Sequence, residues 1–367
     1  MVLLYLRGFF ANIYIMEKLK IGISIGDLNG IGPEVVLKSL KDESLFKYII
    51  PVIYASTKVI SYHRNILKGD IPSYQSVSGV DRLKSDVINV INCWRENVNI
   101  QLGTGTEESG KYAWMALDQA ANDLVEGKID ALVTAPISKE ALKMAGFPFD
   151  GHTEFLADKC KGNQSLMLMV SDQMKMALAT THTAIRNVPD MITKELIEDK
   201  IHQLEDSLKK DFGIEKPVIA VFGLNPHAGE KGILGTEEEE VIRPSIISLK
   251  KNGMIVMGPY PSDGFFRAAQ YKKFDGILAM YHDQGLIPFK ALSFNNGVNY
   301  TANLPVVRTS PDHGTGFEIA GKNQANPDSF RHAIYTAIDI VRNRKIFDEL
   351  SKEVVEKKPK PSEDMVN

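Results

Sequence analysis

Short, continuously apolar segments alternate along the chain with stretches whose apolar residues recur at helical spacing. Ile21–Ile25 is a β-branched segment of the first kind, and the apolar-periodic stretch Gly30–Leu40 follows it. The stretch Glu107–Gly127 has helical spacing again, and Ile129–Val133 is a second apolar run. Strands that are apolar on both faces are typical of parallel sheets covered by helices. The pattern therefore predicts an α/β fold with mostly parallel strands flanked by helices.

Three later apolar segments share one layout, because each runs into a polar loop that contains a histidine. The segments are Met176–Thr180, Val218–Phe222 and Gly276–Met280, and the histidines are His182, His227 and His282. Ligands of open α/β sheets bind beyond the carboxyl ends of the strands, so these three imidazoles are candidates for one shared site. Three imidazoles favour zinc, cobalt, nickel or iron and leave a position open for substrate. A single histidine in such a loop is more often a hydrogen-bonded loop residue than a ligand, and it is the shared position of all three that favours a site.

A second group of residues has the chemistry of an anion site. Its members combine cationic side chains with amide, hydroxyl and imidazole groups, and they are His152, Thr153, Lys290, Asn299 and Arg308. Arginine can bind a phosphate or carboxylate through two hydrogen bonds. The glycine-rich segment Asp312–Lys322 would allow the backbone to approach a flat or phosphorylated ligand closely. Neither a G-x-G-x-x-G nor a P-loop motif occurs, so both common nucleotide fingerprints are missing.

Length, charge and cysteine content argue against several classes of protein. The length of 367 residues suggests two domains. The chain has 43 Lys and Arg against 46 Asp and Glu. Its net charge of −3 gives no overall positive potential that would attract a nucleic acid. No apolar run approaches the roughly 18 residues that cross a bilayer, which argues against a membrane protein. The two cysteines, Cys93 and Cys160, form no CxxC motif, and a reducing cytoplasm is the expected location.

The two ends of the chain do not share the pattern of alternating strands and helices. Met1–Ile15 is apolar, but Arg7 interrupts it and no small-residue cleavage site follows, which disfavours a signal peptide. The alternative is that Met16 is the true start and that the upstream stretch is a surplus extension or an added strand. Residues 351–367 are charged and broken by prolines, so we predict a disordered tail.

Eight motifs, in order, resemble those of the 4-hydroxythreonine-4-phosphate dehydrogenase family of vitamin B6 biosynthesis. They span about Ile21–Ile338 and read GDLNGIGPE, TAPISKEAL, DGHTEFLA, THTAIRNVP, GLNPHAGE, PSDGFF, YHDQGLIPFKAL and TSPDHGTGFEIAG. The first motif departs from the family pattern, which usually has Pro-Ala where this chain has Leu28 and Asn29. The departure affects only the expected geometry of that turn.

The resemblance implies roles for individual residues. It implies that His182, His227 and His282 bind one divalent metal ion, with zinc favoured and cobalt or magnesium as alternatives. It implies substrate contacts from His152, Thr153, Lys290, Asn299 and Arg308, with Lys290 and Asp263 as catalytic candidates. It also implies that the loop containing His313, Gly314, Thr315 and Gly316 holds the adenosine half of NAD or NADP.

The resemblance further implies an isocitrate/isopropylmalate dehydrogenase-like fold of two domains. The expected division places 16–140 with 295–350 in one domain, and 141–294, with the metal histidines and the dimer interface, in the other. Members are homodimers whose site lies at the interface, with one metal histidine supplied across it. Nucleic acid and membranes are not expected partners.

The implied reaction is the NAD-dependent oxidation of 4-phosphooxy-L-threonine, a small phosphorylated hydroxy amino acid. The 3-oxo acid product would decarboxylate to 3-amino-2-oxopropyl phosphate, in pyridoxal 5'-phosphate biosynthesis. One alternative is a catabolic relative that oxidises another phosphorylated four-carbon hydroxy acid or a cis-dihydrodiol. Another is a redox-inactive protein that binds a metal or a phosphorylated metabolite.

Overall fold

A single sheet of twelve strands organises the part of the chain that the structure describes. The structure is a computed structural model, and it describes residues 17–67, 71–161 and 165–356. The strands are β1 (Leu19–Ser24), β2 (Ile49–Ala55), β3 (Tyr74–Val77), β4 (Ile88–Asn92), β5 (Ala131–Thr134), β6 (Leu166–Val170), β7 (Lys175–Leu178), β8 (Val218–Phe222), β9 (Ile255–Tyr260), β10 (Gly276–Ala279), β11 (Val298–Ala302) and β12 (Arg308–Pro311). Their order in the sheet is β3-β4-β2-β1-β5-β12-β11-β6-β7-β10-β8-β9.

Helices connect most of these strands. They are α1 (Gly32–Ser39), α2 (Thr57–Leu67), α3 (Glu107–Val125), α4 (Lys139–Met144), α5 (His152–Lys159), α6 (Val188–Met191), α7 (Lys194–Lys210), α8 (Arg243–Lys251), α9 (Ser262–Arg267), α10 (His282–Ser293) and α11 (Asp328–Glu356). No helix among the described residues combines the length and apolar character that crossing a membrane requires.

Most neighbouring strands run parallel, so the predicted α/β class is confirmed. The exceptions lie in the middle of the sheet, where β11 pairs antiparallel with β12 and β6, and β6 pairs antiparallel with β7. Strand β10 lies between β7 and β8 and pairs parallel with both. The three strands that precede the candidate histidines are therefore adjacent, and their carboxyl ends meet at one edge.

The strands of the two predicted domains occupy different parts of the sheet. Strands β1 to β5, together with β12, lie on one side of β11, and β6 to β10 lie on the other. The division into 16–140 with 295–350 and 141–294 stays a prediction.

The last helix extends further than the sequence predicted. We expected disorder from Ser351 onward, but α11 continues to Glu356, and the Ser351 hydroxyl donates a hydrogen bond to the Phe347 carbonyl. Each residue added to an existing helix gains a backbone hydrogen bond. The helix, anchored by buried residues such as Ile334 and Ile338, therefore propagates into the charged segment. The rest of the predicted tail, and the segment Met1–Ile15, lie outside the described residues.

The turn between β1 and α1 is held by polar side chains. Asn29, one of the two residues at which the first motif departs from the pattern that it resembles, is buried, and its side chain accepts a hydrogen bond from Gln101 N (2.8 Å) and donates one to Thr104 O (2.9 Å). His63 of α2 is also buried, with Nε2 2.9 Å from the Leu28 carbonyl. Burial lowers the pKa of His63 to about 4, although the hydrogen bond to Leu28 opposes the shift.

This histidine should make the stability of the fold depend on pH. Unfolded His63 binds a proton near its ordinary pKa of about 6.5, whereas the folded ring stays neutral until about pH 4. The free energy of unfolding should therefore fall as the pH drops from 6.5 towards 4. For one such group the loss between pH 7 and pH 5 is about 2 kcal/mol.

Urea unfolding at both pH values checks this prediction. His63→Gln should show a smaller loss than the unsubstituted protein by about 2 kcal/mol. His202→Gln, the same change at an exposed position on α7, should behave as the unsubstituted protein does. An unchanged pH dependence in His63→Gln would contradict the prediction.

Candidate active site

A cavity of about 300 Å³ brings together most of the predicted site residues. The predicted residues that line it are His152, Thr153, His182, His282, Lys290, Asn299, Arg308, His313 and Gly314. They come from the sheet strands β11 and β12, from the first turn of α5, from both ends of α10, and from the loops after β7 and β12. The candidate anion site and two of the three candidate metal ligands thus share one cavity.

Arg308 is a buried cation at the start of β12, with only 3% of its surface exposed. Its Nε and one terminal nitrogen donate to the Thr134 hydroxyl at 3.0 and 2.6 Å, and the other terminal nitrogen donates to the Thr301 hydroxyl at 3.1 Å. No carboxylate among the described residues forms an ion pair with it. Burial lowers the pKa of Arg308 to about 10, so it stays charged at neutral pH. The charge of Glu154, which also lines the cavity, opposes this shift. Because the hydrogen-bond partners of this buried cation are all neutral, an anion bound in the cavity would complete the site.

His152 lies beside this arginine at the first position of α5. Burial, followed by the charge of Arg308, holds the pKa of His152 well below its ordinary value. Its Nε2 is buried and has no hydrogen-bond partner among the described residues. The neutral ring therefore keeps an unsatisfied polar atom in the cavity wall.

Two other residues of the cavity lining also have buried polar atoms without partners. Asp312 Oδ2 and His313 Nε2 are buried and unpaired within the described chain. Burial raises the pKa of Asp312, although the charge of Lys290 opposes the shift. The Lys290 amine donates to the Asp312 carbonyl at 3.3 Å. Buried polar atoms are nearly always paired in folded proteins, so such a group indicates a ligand site.

The chemistry of His182 and His282 fits a divalent metal. Their ring centroids are 6.1 Å apart. His282 Nδ1 lies 2.7 Å from Asp283 Oδ1, which leaves Nε2 available and reproduces the carboxylate–histidine arrangement common among metal ligands. Loss of solvation, followed by the charge of Lys139, lowers the pKa of His182 and favours the neutral ring that a metal ligand must have.

His227 is not part of this pair. It is exposed, it lies in a loop of left-handed conformation between residues 226 and 232, and it does not line the cavity. No group of three or more histidine, cysteine or acidic side chains within the described ranges is arranged to hold a metal. The structure of one chain therefore brings two of the three candidate ligands together.

Three other candidates also lie outside the cavity lining. Asp263 is exposed in the first turn of α9. Thr315 and Gly316 pack instead against the turn before α1, where the Thr315 carbonyl accepts a hydrogen bond from Ile31 N at 2.8 Å. A side chain at Gly30 would place its Cβ 2.7 Å from the same carbonyl, so only glycine fits this contact.

Comparison with known proteins assigns the chain to a family. Residues 47–337 match the family described as pyridoxal phosphate biosynthetic protein PdxA. The chain is 48% identical to 4-hydroxythreonine-4-phosphate dehydrogenase of Bacteroides thetaiotaomicron, over 89% of this chain and 90% of that protein. The chain belongs to the PdxA family.

Two solved structures extend the comparison. The crystal structure of 4-hydroxythreonine-4-phosphate dehydrogenase from Klebsiella pneumoniae is similar to this PdxA chain, with a TM-score of 0.78 and 33% identity, over 89% of this chain and 98% of that chain. A terephthalate 1,2-cis-dihydrodiol dehydrogenase from Burkholderia xenovorans is less similar, with a TM-score of 0.59 and 25% identity, over 88% of this chain and 98% of that chain. Both relatives are named as dehydrogenases, so the family is one of oxidoreductases.

Sequence reasoning about this PdxA family member missed several residues of the cavity. Thr134, Lys139 and Glu154 line it, although none was a candidate, and Asp312 was considered only as the start of the glycine-rich segment. Thr134 ends β5, and Lys139 follows it within the motif TAPISKEAL. A polar residue at the carboxyl end of a core strand was the available signal, because that edge is where ligands bind.

An inorganic anion should stabilise the protein through Arg308. Phosphate at ten times its Kd should raise the free energy of unfolding by about 1.4 kcal/mol. Arg308→Met removes the charge while keeping most of the side-chain volume, and should abolish the phosphate effect. Thermal unfolding with phosphate, against chloride at matched ionic strength, measures it.

Arg82→Met is the matched control, because Arg82 is 74% exposed and lies far along the sequence from the cavity motifs. It should retain the full phosphate effect. An equal phosphate effect in Arg308→Met and the unsubstituted protein would contradict the anion site.

Proposed function

We propose that the protein oxidises 4-phosphooxy-L-threonine, with NAD or NADP as the hydride acceptor. The 3-oxo acid then loses its carboxylate to give 3-amino-2-oxopropyl phosphate, a step of pyridoxal 5'-phosphate biosynthesis. The observation that carries the proposal is the cavity itself. It combines a buried arginine, which forms no ion pair within the described residues, with a histidine pair suited to a metal, as a phosphorylated hydroxy acid requires.

The residues of this chain bind and orient the substrate. Arg308 holds one anionic end through charge-assisted hydrogen bonds, and His152 and Thr153 add neutral contacts beside it. Asn299, on β11, can contact the same end. When bound at the histidine pair, a divalent ion supplies Lewis acidity at the secondary hydroxyl, and the nicotinamide supplies the hydride acceptor.

Lys290 is the candidate for orienting the carboxylate or moving a proton. Its amine faces the cavity, 3.3 Å from the Asp312 carbonyl. A flexible lysine can bind the carboxylate before the oxidation and supply a proton near the same carbon after its loss.

We assign the nicotinamide cofactor to the loop after β12. His313 and Gly314 line the cavity, while Thr315 and Gly316 lie against the β1–α1 turn. One loop therefore connects the substrate cavity with a glycine-rich surface that a cofactor can approach closely. The adenosine half would lie on this surface.

We further propose that two copies of the chain share each site. His227 and Asp263 follow the neighbouring strands β8 and β9, are exposed, and lie outside their own chain's cavity. The histidine pair also borders a second cavity that includes Ile185, which is 71% exposed. A partner chain would cover this apolar side chain beside the histidine pair. His227 would therefore complete the metal site of the partner, and Asp263 would accompany it.

NADH formation with a panel of substrates tests the reaction. The panel contains 4-phosphooxy-L-threonine, a phosphorylated four-carbon hydroxy acid without the amino group, and a cis-dihydrodiol. We expect the first to have the highest kcat/KM by about 100-fold or more, because a site that hydrogen-bonds a polar group rejects analogues that lack it. A higher kcat/KM for either of the other two would overturn the assignment.

Mixing inactive variants tests the shared site. Each site should take His182 and His282 from one chain and His227 from the other, so His227→Ala and His282→Ala should complement each other. After random exchange of subunits in a two-fold dimer, about one quarter of all sites would have no lesion.

The matched control mixes His182→Ala with His282→Ala. These two histidines lie in the same chain's cavity, so every heterodimer site keeps one lesion and the mixture should stay inactive. Recovery of activity in the control mixture would show that the three histidines are divided between the two chains in another way. So would the absence of recovery in the test mixture, provided that subunit exchange is demonstrated.

A further inference from the structure

A buried carboxylate lies beneath the loop that contains His227. Glu238 begins a π-helical turn that runs to Ile242, and none of its surface is exposed. It forms no ion pair with a residue in the described ranges. A buried carboxylate without a cation is costly unless hydrogen bonds satisfy it. Its hydrogen-bond partners therefore indicate its role.

Both carboxylate oxygens accept hydrogen bonds from one residue, Asn225. The Asn225 backbone N–H donates to Oε1 at 2.7 Å, and its side-chain amide donates to Oε2 at 3.0 Å. The same amide donates to Glu237 Oε2 at 2.7 Å. Asn225 directly precedes the left-handed loop. By binding Asn225, Glu238 therefore fixes the position at which the loop begins.

The carboxylate also packs against the loop at two glycines. A Cβ on Gly223 would lie 2.8 Å from Glu238 Oε1, and a Cβ on Gly229 would lie 2.5 Å from Oε2. Neither position can accommodate a side chain while the carboxylate is in place. The loop therefore wraps closely around Glu238.

The conformation of this loop is not one that its sequence favours. Five consecutive residues, 227–231, have φ between 43° and 76°, and only Gly229 among them is a glycine. Left-handed conformations cost free energy for L-residues, and they persist only where the surrounding structure holds them. The start of the loop is held by hydrogen bonds from Ala228 N to the Asn225 carbonyl and from Asn225 to Glu237 and Glu238. Of these partners, only Glu238 is fully buried and contacts Asn225 through both carboxylate oxygens.

A second contact ties the loop to the metal histidines. The Gln284 amide donates to the Gly223 carbonyl at 2.7 Å, and its oxygen accepts from Met280 N at 2.7 Å. Met280 and Gln284 lie two residues on either side of His282. Gln284 therefore connects the loop of His227 with the turn of His282 through hydrogen bonds to both.

We propose that Glu238 is a positioning residue for the metal site. Its carboxylate presets the left-handed loop so that His227 is presented as a ligand to the site of the partner chain. The inference rests on the proposed role of His227. Both oxygens must accept hydrogen bonds, so the amide of glutamine, which keeps only one acceptor, cannot replace it fully.

Cobalt binding to the metal-free full-length protein tests the proposal without an activity measurement. Glu238→Gln should raise the Kd for Co²⁺ by about 10-fold or more, as loss of an outer partner of a metal ligand does. It should also change the visible absorption of bound Co²⁺, because one imidazole is misplaced. Thermal unfolding should show a cooperative, folded protein.

Glu240→Gln is the matched control. It makes the same chemical change two residues later on the same π-helical turn, at an exposed position. Its Kd and spectrum should equal those of the unsubstituted protein. Wild-type Co²⁺ affinity and spectrum in folded Glu238→Gln would overturn the proposal.

Asn225→Asp provides a second, independent variant. The aspartate side chain is nearly the same size as asparagine. It would place a third carboxylate next to Glu237 and Glu238, to which the Asn225 amide donates hydrogen bonds in the unsubstituted protein. Asn225 is only partly buried, so the change spares the core. The Kd for Co²⁺ should rise by a similar factor. If Glu238→Gln does not fold, unchanged Co²⁺ affinity in folded Asn225→Asp would overturn the proposal.

His227→Ala separates this inference from the proposed function. Weakened Co²⁺ binding in His227→Ala, with normal binding in Glu238→Gln and Asn225→Asp, would reject the positioning role alone. Normal binding in His227→Ala would reject His227 as a ligand, and the inference would fall with it.

Discussion

The antiparallel ladder β12–β11–β6 in the middle of the sheet is the constraint on which the site depends. Through it the strands from β1 to β5 and those from β7 to β10 belong to one continuous sheet. Arg308 begins β12 and is bonded to hydroxyls on β5 and β11, the two strands that flank it. The anion site is therefore built from the strands themselves, and strands hold side chains more precisely than loops do.

Two imidazoles of the cavity are kept neutral by the same physical causes. Burial lowers the pKa of His152 and His182, and a nearby cation, Arg308 or Lys139, lowers it further. The neutral state of each ring has a different consequence. A neutral ring beside Arg308 avoids adding a second buried charge, and a neutral ring beside His282 keeps a lone pair for a metal.

Much of the fold was predictable because its signals are local. The short apolar runs predicted parallel strands, and β7, β10 and β8 are indeed neighbours with their carboxyl ends together. The direction of β6 and β11 was not predictable, since an apolar run reads the same in a parallel or antiparallel pair. The separation of His227 from the other histidines was also hidden, because Glu238 holds its loop from a position outside the motif. The position of Thr134 at the end of a core strand marked it as a possible site residue, but its role as the partner of Arg308 depends on the pairing of β5 with β12, which no local pattern shows.

The turn after β1 can be stabilised through either of two different free-energy terms. Proline and alanine, usual in the family, limit the conformations of the unfolded chain, so folding loses less entropy. This chain has Leu28 and Asn29 instead, and Asn29 compensates through hydrogen bonds to Gln101 and Thr104. The stability of the turn is thus shifted from entropy in the unfolded state to enthalpy in the folded one. Its contribution should accordingly vary with temperature differently from that of relatives with the Pro-Ala turn.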